Sequence, residues 1–369
     1  RIAGTDQKER IPRSYSTQMQ VMINTLNDIR TSDKQISGTH GIGVLMANSL
    51  MFQRFPDHNG YDDPQFSSFY GQTLPLLKRG IPVELVHMEN TPFKDTFNGL
   101  QVLVMSYSNM KPMKSEYHNY LADWVKKGGT LVYCGEDVDP YQTVLEWWNT
   151  EGNAYKAPSE HLFEAMGLSR NPGDGTYRFG KGTVIVMRED PKHFVLKGGN
   201  DRKYFETIAS AYESKTGKKI EIKNNFMVER GPYTIAAVMD ESSSKEPLKL
   251  SGLYIDLFDK DLPVLTVKQI NPGEQGYLYD LNKVSGKVKA KVLCGASRIY
   301  DEKVGKQSYS FVAKSPLHTT NVSRVLLPRK PGKVLVNGKA EQPEWDESSK
   351  TLLLSFENDP AGVNVSIEW

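Results

Sequence analysis

Cysteine is scarce: the chain has two in 369 residues, Cys134 and Cys294. Two isolated thiols supply neither a disulfide framework nor a zinc-ligand spacing, so no metal centre is expected. Both follow strand-like runs, Leu131-Val132-Tyr133 and Lys291-Val292-Leu293, and read as free buried cysteines. No apolar run approaches the ~20 residues of a membrane helix, and no signal-peptide pattern opens the chain. Net charge is small, +2 from 46 basic and 44 acidic side chains. The basic residues are scattered, as at Lys126-Lys127, Lys218-Lys219 and Arg329-Lys330, whereas a nucleic-acid footprint needs a concentrated basic face. No phosphate loop or dinucleotide fingerprint occurs. Gly41-Ile42-Gly43 lacks the third glycine and precedes its strand, so no cofactor is expected. Nothing resembles a barrel with acids at its strand ends, which leaves glycosidic carboxylates unassigned.

What is present is the composition of a folded protein, 38% hydrophobic and 24% charged, in a chain long enough for two or three domains. Tyr15, Met19, Met22, Ile23, Leu26 and Ile29 predict an amphipathic helix over 15–30, with Pro12, Ser14 and Ser16 as start signals. It finds no partner within the first thirty residues and must pack on a later or an upstream segment. Strands are expected at 42–46, 81–86, 100–105, 130–133 and 183–187. Helices alternate with them. One starts at Ser67 and is kinked by Pro75. One is capped by Ser115, carries Tyr117, Tyr120, Leu121, Trp124 and Val125, and closes at Gly128-Gly129. Others lie at 141–148, after Ser159, and over 201–214. Strand–helix–strand alternation predicts a parallel sheet with helices on both faces. From about Lys219 the helical period gives way to about eleven short strand-like runs, the spacing of a β-sandwich. Asn337-Gly338 marks a tight hairpin there.

In an open α/β sheet, ligands bind at the carboxyl ends of the strands. That rule nominates Asn48, Ser49 and Arg54, then His87 and Glu89, then Ser106, Tyr107 and Lys111, then Cys134, Glu136, Asp137 and Asp139. Cys134, ending a strand before Gly135, is the one candidate nucleophile. Such chemistry needs a thiolate, a histidine base and an orienting acid. The acids of Gly135–Tyr141 suit a hard cation, or a helix start with Pro140 at its first position. Trp147 and Trp148 are candidate stacking platforms for a sugar, as is Trp345.

The order of Gly-Ile-Gly-Val-Leu-Met (41–46), Ser-Phe-Tyr-Gly (68–71), Leu-Leu-Lys-Arg-Gly-Ile-Pro-Val (76–83), Val-Leu-Val-Met-Ser-Tyr (102–107), Trp-Val-Lys-Lys-Gly-Gly-Thr-Leu-Val (124–132) and Gly-Lys-Gly-Thr-Val (180–184) resembles the β-galactosidase trimerisation-type domain of family 42 bacterial glycoside hydrolases. That domain is a degenerate class I glutamine amidotransferase-like, flavodoxin-like fold. The resemblance covers about residues 38–215 and is moderately specific. The nucleophile elbow Gly-x-Cys-x-Gly is missing, and His161 and His193 do not stand in the family's His-x-Glu element. The resemblance implies four segments: 1–36 as the tail or linker of an upstream catalytic barrel, 37–218 as the α/β domain, 219–328 as a β-sandwich, and 329–369 as a terminal β module or the sandwich's completion. It implies a non-catalytic accessory and assembly role in a homo-oligomeric, carbohydrate-acting parent, periplasmic or extracellular. The rivals are a stand-alone hydrolase using Cys134 and a carbohydrate-binding protein. The opening Arg1-Ile2, with no methionine, is read as the trace of an upstream part.

Overall fold

The computed structural model describes residues 12–29, 34–52, 66–196, 200–284, 286 and 289–369. The chain divides into two units. One is α/β, Ser37–Asn224 with Glu241–Ser244; the other is β-rich, formed by the chain through Ile36, Asn225–Asp240 and Lys245–Trp369. Helix α1 (Arg13–Ile29) and strand β1 (Lys34–Ile36) thus belong with the C-terminal strands.

The α/β unit contains β2 (Ile42–Met46), α2 (Ser67–Leu77), β3 (Glu84–His87), β4 (Val102–Met105), α3 (Glu116–Lys126), β5 (Thr130–Cys134), α4 (Pro158–Ala165), β6 (Gly175–Phe179), β7 (Gly182–Met187), α5 (His193–Leu196) and α6 (Arg202–Thr216). The sheet order is β3-β2-β4-β5-β7-β6. All neighbours are parallel except the hairpin β6–β7. The parallel strands follow a doubly wound order, reversing direction across the sheet beside β2. Alternation along each strand makes two cores. Leu45, Leu103, Met105, Leu131 and Tyr133 fill one face, while Val44, Val102, Val104, Val132 and Cys134 fill the other. Both faces are covered, which is why these strands read as unbroken apolar runs. Helix α3 sends Tyr117, Leu121 and Val125 into the first core, and α6 sends Tyr204, Ile208 and Ala211 into the second. Gly71 permits the close approach of α2 to the following chain. A Cβ there would lie 1.8 Å from the Pro191 carbonyl oxygen.

Several local expectations are corrected. Ser115 has helical backbone angles and its hydroxyl caps nothing. Pro75 sits inside α2 without dividing it. Ser159 lies within α4 after Pro158, and its hydroxyl is turned to Asp137 rather than to the helix end. The helix expected over 141–148 is a single 3₁₀ turn, Pro140–Thr143. Side chains take the backbone groups a longer helix would use: Trp148 Nε1 donates to the Gln142 carbonyl at 3.0 Å and Asn149 Nδ2 to that of Val144 at 2.8 Å. Strand β6 was not foreseen, and no strand forms over Lys219–Ile222.

The β-rich unit continues with β8 (Asn225–Arg230), β9 (Tyr233–Val238), β10 (Leu248–Asp256), β11 (Val264–Ile270), β12 (Gln275–Asp280), β13 (Lys291–Gly295), β14 (Arg298–Val304), β15 (Ser308–Lys314), β16 (Thr320–Leu326), β17 (Lys333–Val336), β18 (Lys339–Glu341), β19 (Glu344–Asp346), β20 (Thr351–Glu357) and β21 (Val363–Glu368). They form three antiparallel sheets: β1-β8-β9-β12-β10-β11, β13-β16-β20-β19 and β14-β15-β21-β17-β18. The last two share one core of Tyr309, Phe311, Val325, Leu352, Leu354, Val365 and Ile367. Residues after Pro328 supply strands to both of these sheets, so 329–369 is not a separate module. Asn337, at φ 47°, and Gly338, at φ 79°, make the tight turn between β17 and β18.

The structure gives α1 a partner within this unit. Val21 and Ile29 are buried with Tyr233, Ile255 and Tyr277 of the six-stranded sheet and with Leu293, Cys294 and Val322 of the four-stranded one. Burying each such aliphatic side chain is worth about 1.5–3 kcal/mol. The inward stripe is Thr17, Val21, Thr25 and Ile29 rather than the purely apolar set. Both threonines can be buried because each hydroxyl finds a carbonyl, Thr17 that of Thr320 and Thr25 that of Val21, both at 3.0 Å. Tyr15, Met19, Ile23 and Leu26 face outward.

Candidate functional site

The carboxyl ends of β2–β5 bring most of the nominated residues together, in bonds that are already made. Ser49 Oγ donates to the Lys111 carbonyl at 2.5 Å, and the Asn48 amide donates to Glu89 Oε1 at 2.8 Å. Lys111 Nζ lies 2.7 Å from Asp139 Oδ2 with both side chains nearly buried, and it also donates to the Tyr107 carbonyl. Asp139 caps the following 3₁₀ turn, accepting from the Tyr141 amide at 3.0 Å, with Pro140 next in line. Ser108 Oγ donates to Asp190 Oδ1 at 2.5 Å, and the same oxygen accepts the Glu136 amide at 3.0 Å. Asp137, at φ 61°, is held by Arg188 at 2.7 Å, Ser159 at 2.7 Å and the Tyr133 hydroxyl. Burial raises its pKa above the usual carboxylate range, and these three partners together with Lys111 pull it back. His87, the last residue of β3, is exposed. Arg54 lies outside the described residues. Among the described residues, no three His, Cys, Asp or Glu side chains converge as a metal site would need.

Cys134 is 0% exposed and sits among Val104, Val132, Tyr204 and Ile208. Burial pushes its thiol far above the ordinary value, with Glu189 and Asp174 adding to the shift. A nucleophile requires the opposite. The local histidines do not serve it. His118 bonds to His161 and to Tyr107, which belongs to the core on the other face of the sheet.

That histidine pair was missed in the sequence. His118 stands on the buried stripe of α3 with Leu121, Ala122 and Val125, a spacing of three, four and seven. It lies 2.6 Å from the Tyr107 hydroxyl through Nε2 and 2.8 Å from His161 Nδ1 through Nδ1. Among the described residues the Tyr107 hydroxyl has no other hydrogen-bond partner, so it donates to Nε2, and His118 donates from Nδ1 to His161. Burial holds the pKa of His118 well below the usual value, and His161 adds to the effect. His161 is lowered by burial, against the opposing charge of Glu164. Trp147 packs edge-on against both rings at 5.6 and 5.3 Å, and its Nε1 donates to the Pro112 carbonyl at 2.8 Å. Trp148 is core, 1% exposed. Of five cavities of about 510–820 Å³ among the described residues, one of about 510 Å³ in the β-rich unit is lined by the nominated Trp345, with Lys330, Lys333 and Glu341; the other four are lined by none of the nominated residues.

No protein-family model matches the chain, and comparison with curated proteins gives no match. Among solved structures, it is similar to a beta-galactosidase from Bacillus circulans sp. alkalophilus, with TM-score 0.40 and 10% identity over 66% of this chain and 42% of that one. A catalytic mutant of Gan42B, a GH42 beta-galactosidase from G. stearothermophilus, gives 0.39 and 12% over 66% and 40%. A rhamnosidase from Novosphingobium gives 0.35 and 12% over 94% and 36%. The chain spans about two fifths of the length of these structures or less. At such TM-scores the likeness assigns neither fold nor activity.

Proposed function

We propose that this chain is a non-catalytic accessory and assembly region of a carbohydrate-acting hydrolase. The observation that carries the reading is the outward face of α1, where Tyr15, Met19, Ile23 and Leu26 stand 55%, 40%, 39% and 54% exposed along one stripe. A helix already anchored by its opposite stripe has no need of these side chains for its own fold. A contiguous apolar surface of this kind marks an interaction site. In this reading the stripe packs on an upstream catalytic domain or a neighbouring subunit. The α/β unit is then the trimerisation-type, amidotransferase-like domain, and the two facing sheets are its companion β-sandwich. The link to carbohydrate rests on the sequence resemblance. The rival hydrolase needs an ionisable Cys134 with a histidine base, and the buried thiol on the face opposite the histidine pair disfavours it.

Sedimentation velocity tests the assembly role. The intact chain is expected to associate at micromolar concentration through an interface of about 1,200–2,000 Å² in total, closed by rotational symmetry. The double variant Met19→Glu, Leu26→Glu should sediment as a monomer with unchanged thermal unfolding. A wild-type chain that stays monomeric, and that fails to bind its parent's upstream domain supplied in trans, would remove the reading.

A further inference from the structure

In the β-rich unit, a cavity of about 520 Å³ opens between the polar side of α1 and the strands β13 and β14. We propose that this cavity is a saccharide-binding site. The proposal goes beyond the assembly role and does not depend on it, because it uses a different face of α1.

Asn24, Asn27 and Asp28 line one wall, at the three- and four-residue spacing that places side chains together on a helix. Arg298 and Tyr300, two residues apart on β14 and so on one side of that strand, line the other. Part of the wall is fixed in advance. Asn24 Nδ2 donates to the Gly295 carbonyl at 2.9 Å. The Tyr233 hydroxyl donates to Asp28 Oδ2 at 2.7 Å, which orients the carboxylate and leaves its other oxygen as an acceptor. Asn27 and Arg298 make no side-chain hydrogen bond among the described residues, so their polar ends are available to a ligand. Tyr300 is 43% exposed, and a cation–π contact with Lys314 Nζ, 5.4 Å from the ring centroid, restrains it.

This set of groups selects the ligand class. The Asp28 oxygen left by Tyr233 accepts, the Arg298 guanidinium donates two hydrogen bonds side by side, and the Asn27 primary amide accepts one and donates one. Adjacent ring hydroxyls present that paired pattern, and the C–H face of a pyranose suits an aromatic ring. The volume falls in the ~300–1,000 Å³ range of small-molecule sites, enough for a disaccharide. Other classes fit less well. Lys291 and Arg298 against Asp28 leave one net positive charge, too little for a polyphosphate, and the lining is too polar for a lipid. Cys294 also borders the cavity, but burial pushes its thiol up to about 12, so it offers no nucleophile and the site binds without reacting.

The test is isothermal titration of the intact chain with lactose, cellobiose and maltose at millimolar concentration. Saturable binding of at least one disaccharide is expected. Tyr300→Ala and Asn27→Ala should each weaken it by about tenfold or more, which is about 1.4 kcal/mol. Both side chains are exposed, so thermal unfolding should be unchanged and the loss assignable to the site. The Met19→Glu, Leu26→Glu variant should bind as the wild type does, which separates this result from that of the assembly test. Failure of all three disaccharides to bind, or equal binding by the wild type and both cavity variants, would overturn the proposal.

Discussion

Replacing His118 with glutamine removes the fully buried titrating group from the chain Tyr107–His118–His161. In the folded protein, burial and the neighbouring His161 hold His118 neutral well below the usual imidazole pKa. The unfolded chain takes up its proton near pH ~6.5 and the folded chain does not. The contribution of His118 is therefore full above that pH and is lost as the pH falls. The slope approaches about 1.4 kcal/mol per pH unit, and the loss between about pH 7.5 and 5.5 integrates to about 1.4 kcal/mol. His161 acts in the same direction, but it is only partly buried and solvent screening reduces its share. Two carboxylates bear on the chain as well: Glu164 favours the charged form of His161, and Asp137 disfavours ionisation of Tyr107. Protonating His161 at Nδ1 would set two donors face to face, and relief would require His118 to shift its hydrogen to Nε2 and the Tyr107 hydroxyl to turn away within a buried site. Urea unfolding followed by tryptophan fluorescence reads the effect, because the Trp147 ring lies 5.6 Å from the His118 ring. His118→Gln should lower absolute stability by about 1–3 kcal/mol, since Tyr107 and His161 lose a well-placed partner. Its pH dependence should be flatter than the wild type's by about 1.4 kcal/mol over the same interval. All other titrating groups are common to both proteins, so equal pH dependence would refute the buried-neutral assignment.

Two further outcomes follow from the rim. Lys111→Ala removes the cation beside the Asp139 carboxylate, whose side chain is 3% exposed, and should cost about 3–5 kcal/mol in the urea transition of the α/β unit; a loss under about 1 kcal/mol would mean that the pair is solvated. Cys134 should resist maleimide at neutral pH and react only as the α/β unit unfolds, read by mass spectrometry of the labelled peptide, whereas labelling of the native protein within minutes would contradict its burial.

How much of this was legible in the sequence depends on what fixed each element. The parallel strands were readable because both sheet faces are covered, so Val102–Met105 and Thr130–Cys134 carry apolar side chains at every position or nearly so. Strand β6 was not. Gly175–Phe179 lies at the sheet edge with half-exposed residues, and only its pairing with β7 makes it a strand. The inward face of α1 was misread because the apolar template gives threonine no place in a core. Thr17 and Thr25 go inward once their hydroxyls have carbonyl acceptors, one of them 303 residues away in sequence. The helix over 141–148 failed for a related reason. Its start signals, Asp139 and Pro140, are real, but Trp148 and Asn149 take the carbonyls that would have continued it.

The rim illustrates the limit of reading function from residue type. Lys111, Asp137, Asp139, Arg188, Asp190 and two histidines at the carboxyl ends of a parallel sheet are the ingredients of catalysis. Whether such groups act on a substrate depends on whether the fold leaves them uncommitted, because a buried polar group that already has its partners gains little from exchanging them. Here Lys111 is matched to Asp139, Arg188 to Asp137, Ser108 to Asp190, and His118 to both Tyr107 and His161. Lys111–Asp139, Arg188–Asp137, Ser108–Asp190 and His118–His161 each tie the segment after one strand to the segment after another, while Tyr107–His118 holds the loop after β4 to its own helix. Uncommitted groups gather in the β-rich unit instead: among the described residues, the outer stripe of α1 is apolar and exposed, and Asn27 and Arg298 line a cavity and make no side-chain hydrogen bond. On this accounting, the partner and ligand binding proposed above falls to the β-rich unit, while the α/β rim has turned most of its polar side chains to holding its own loops.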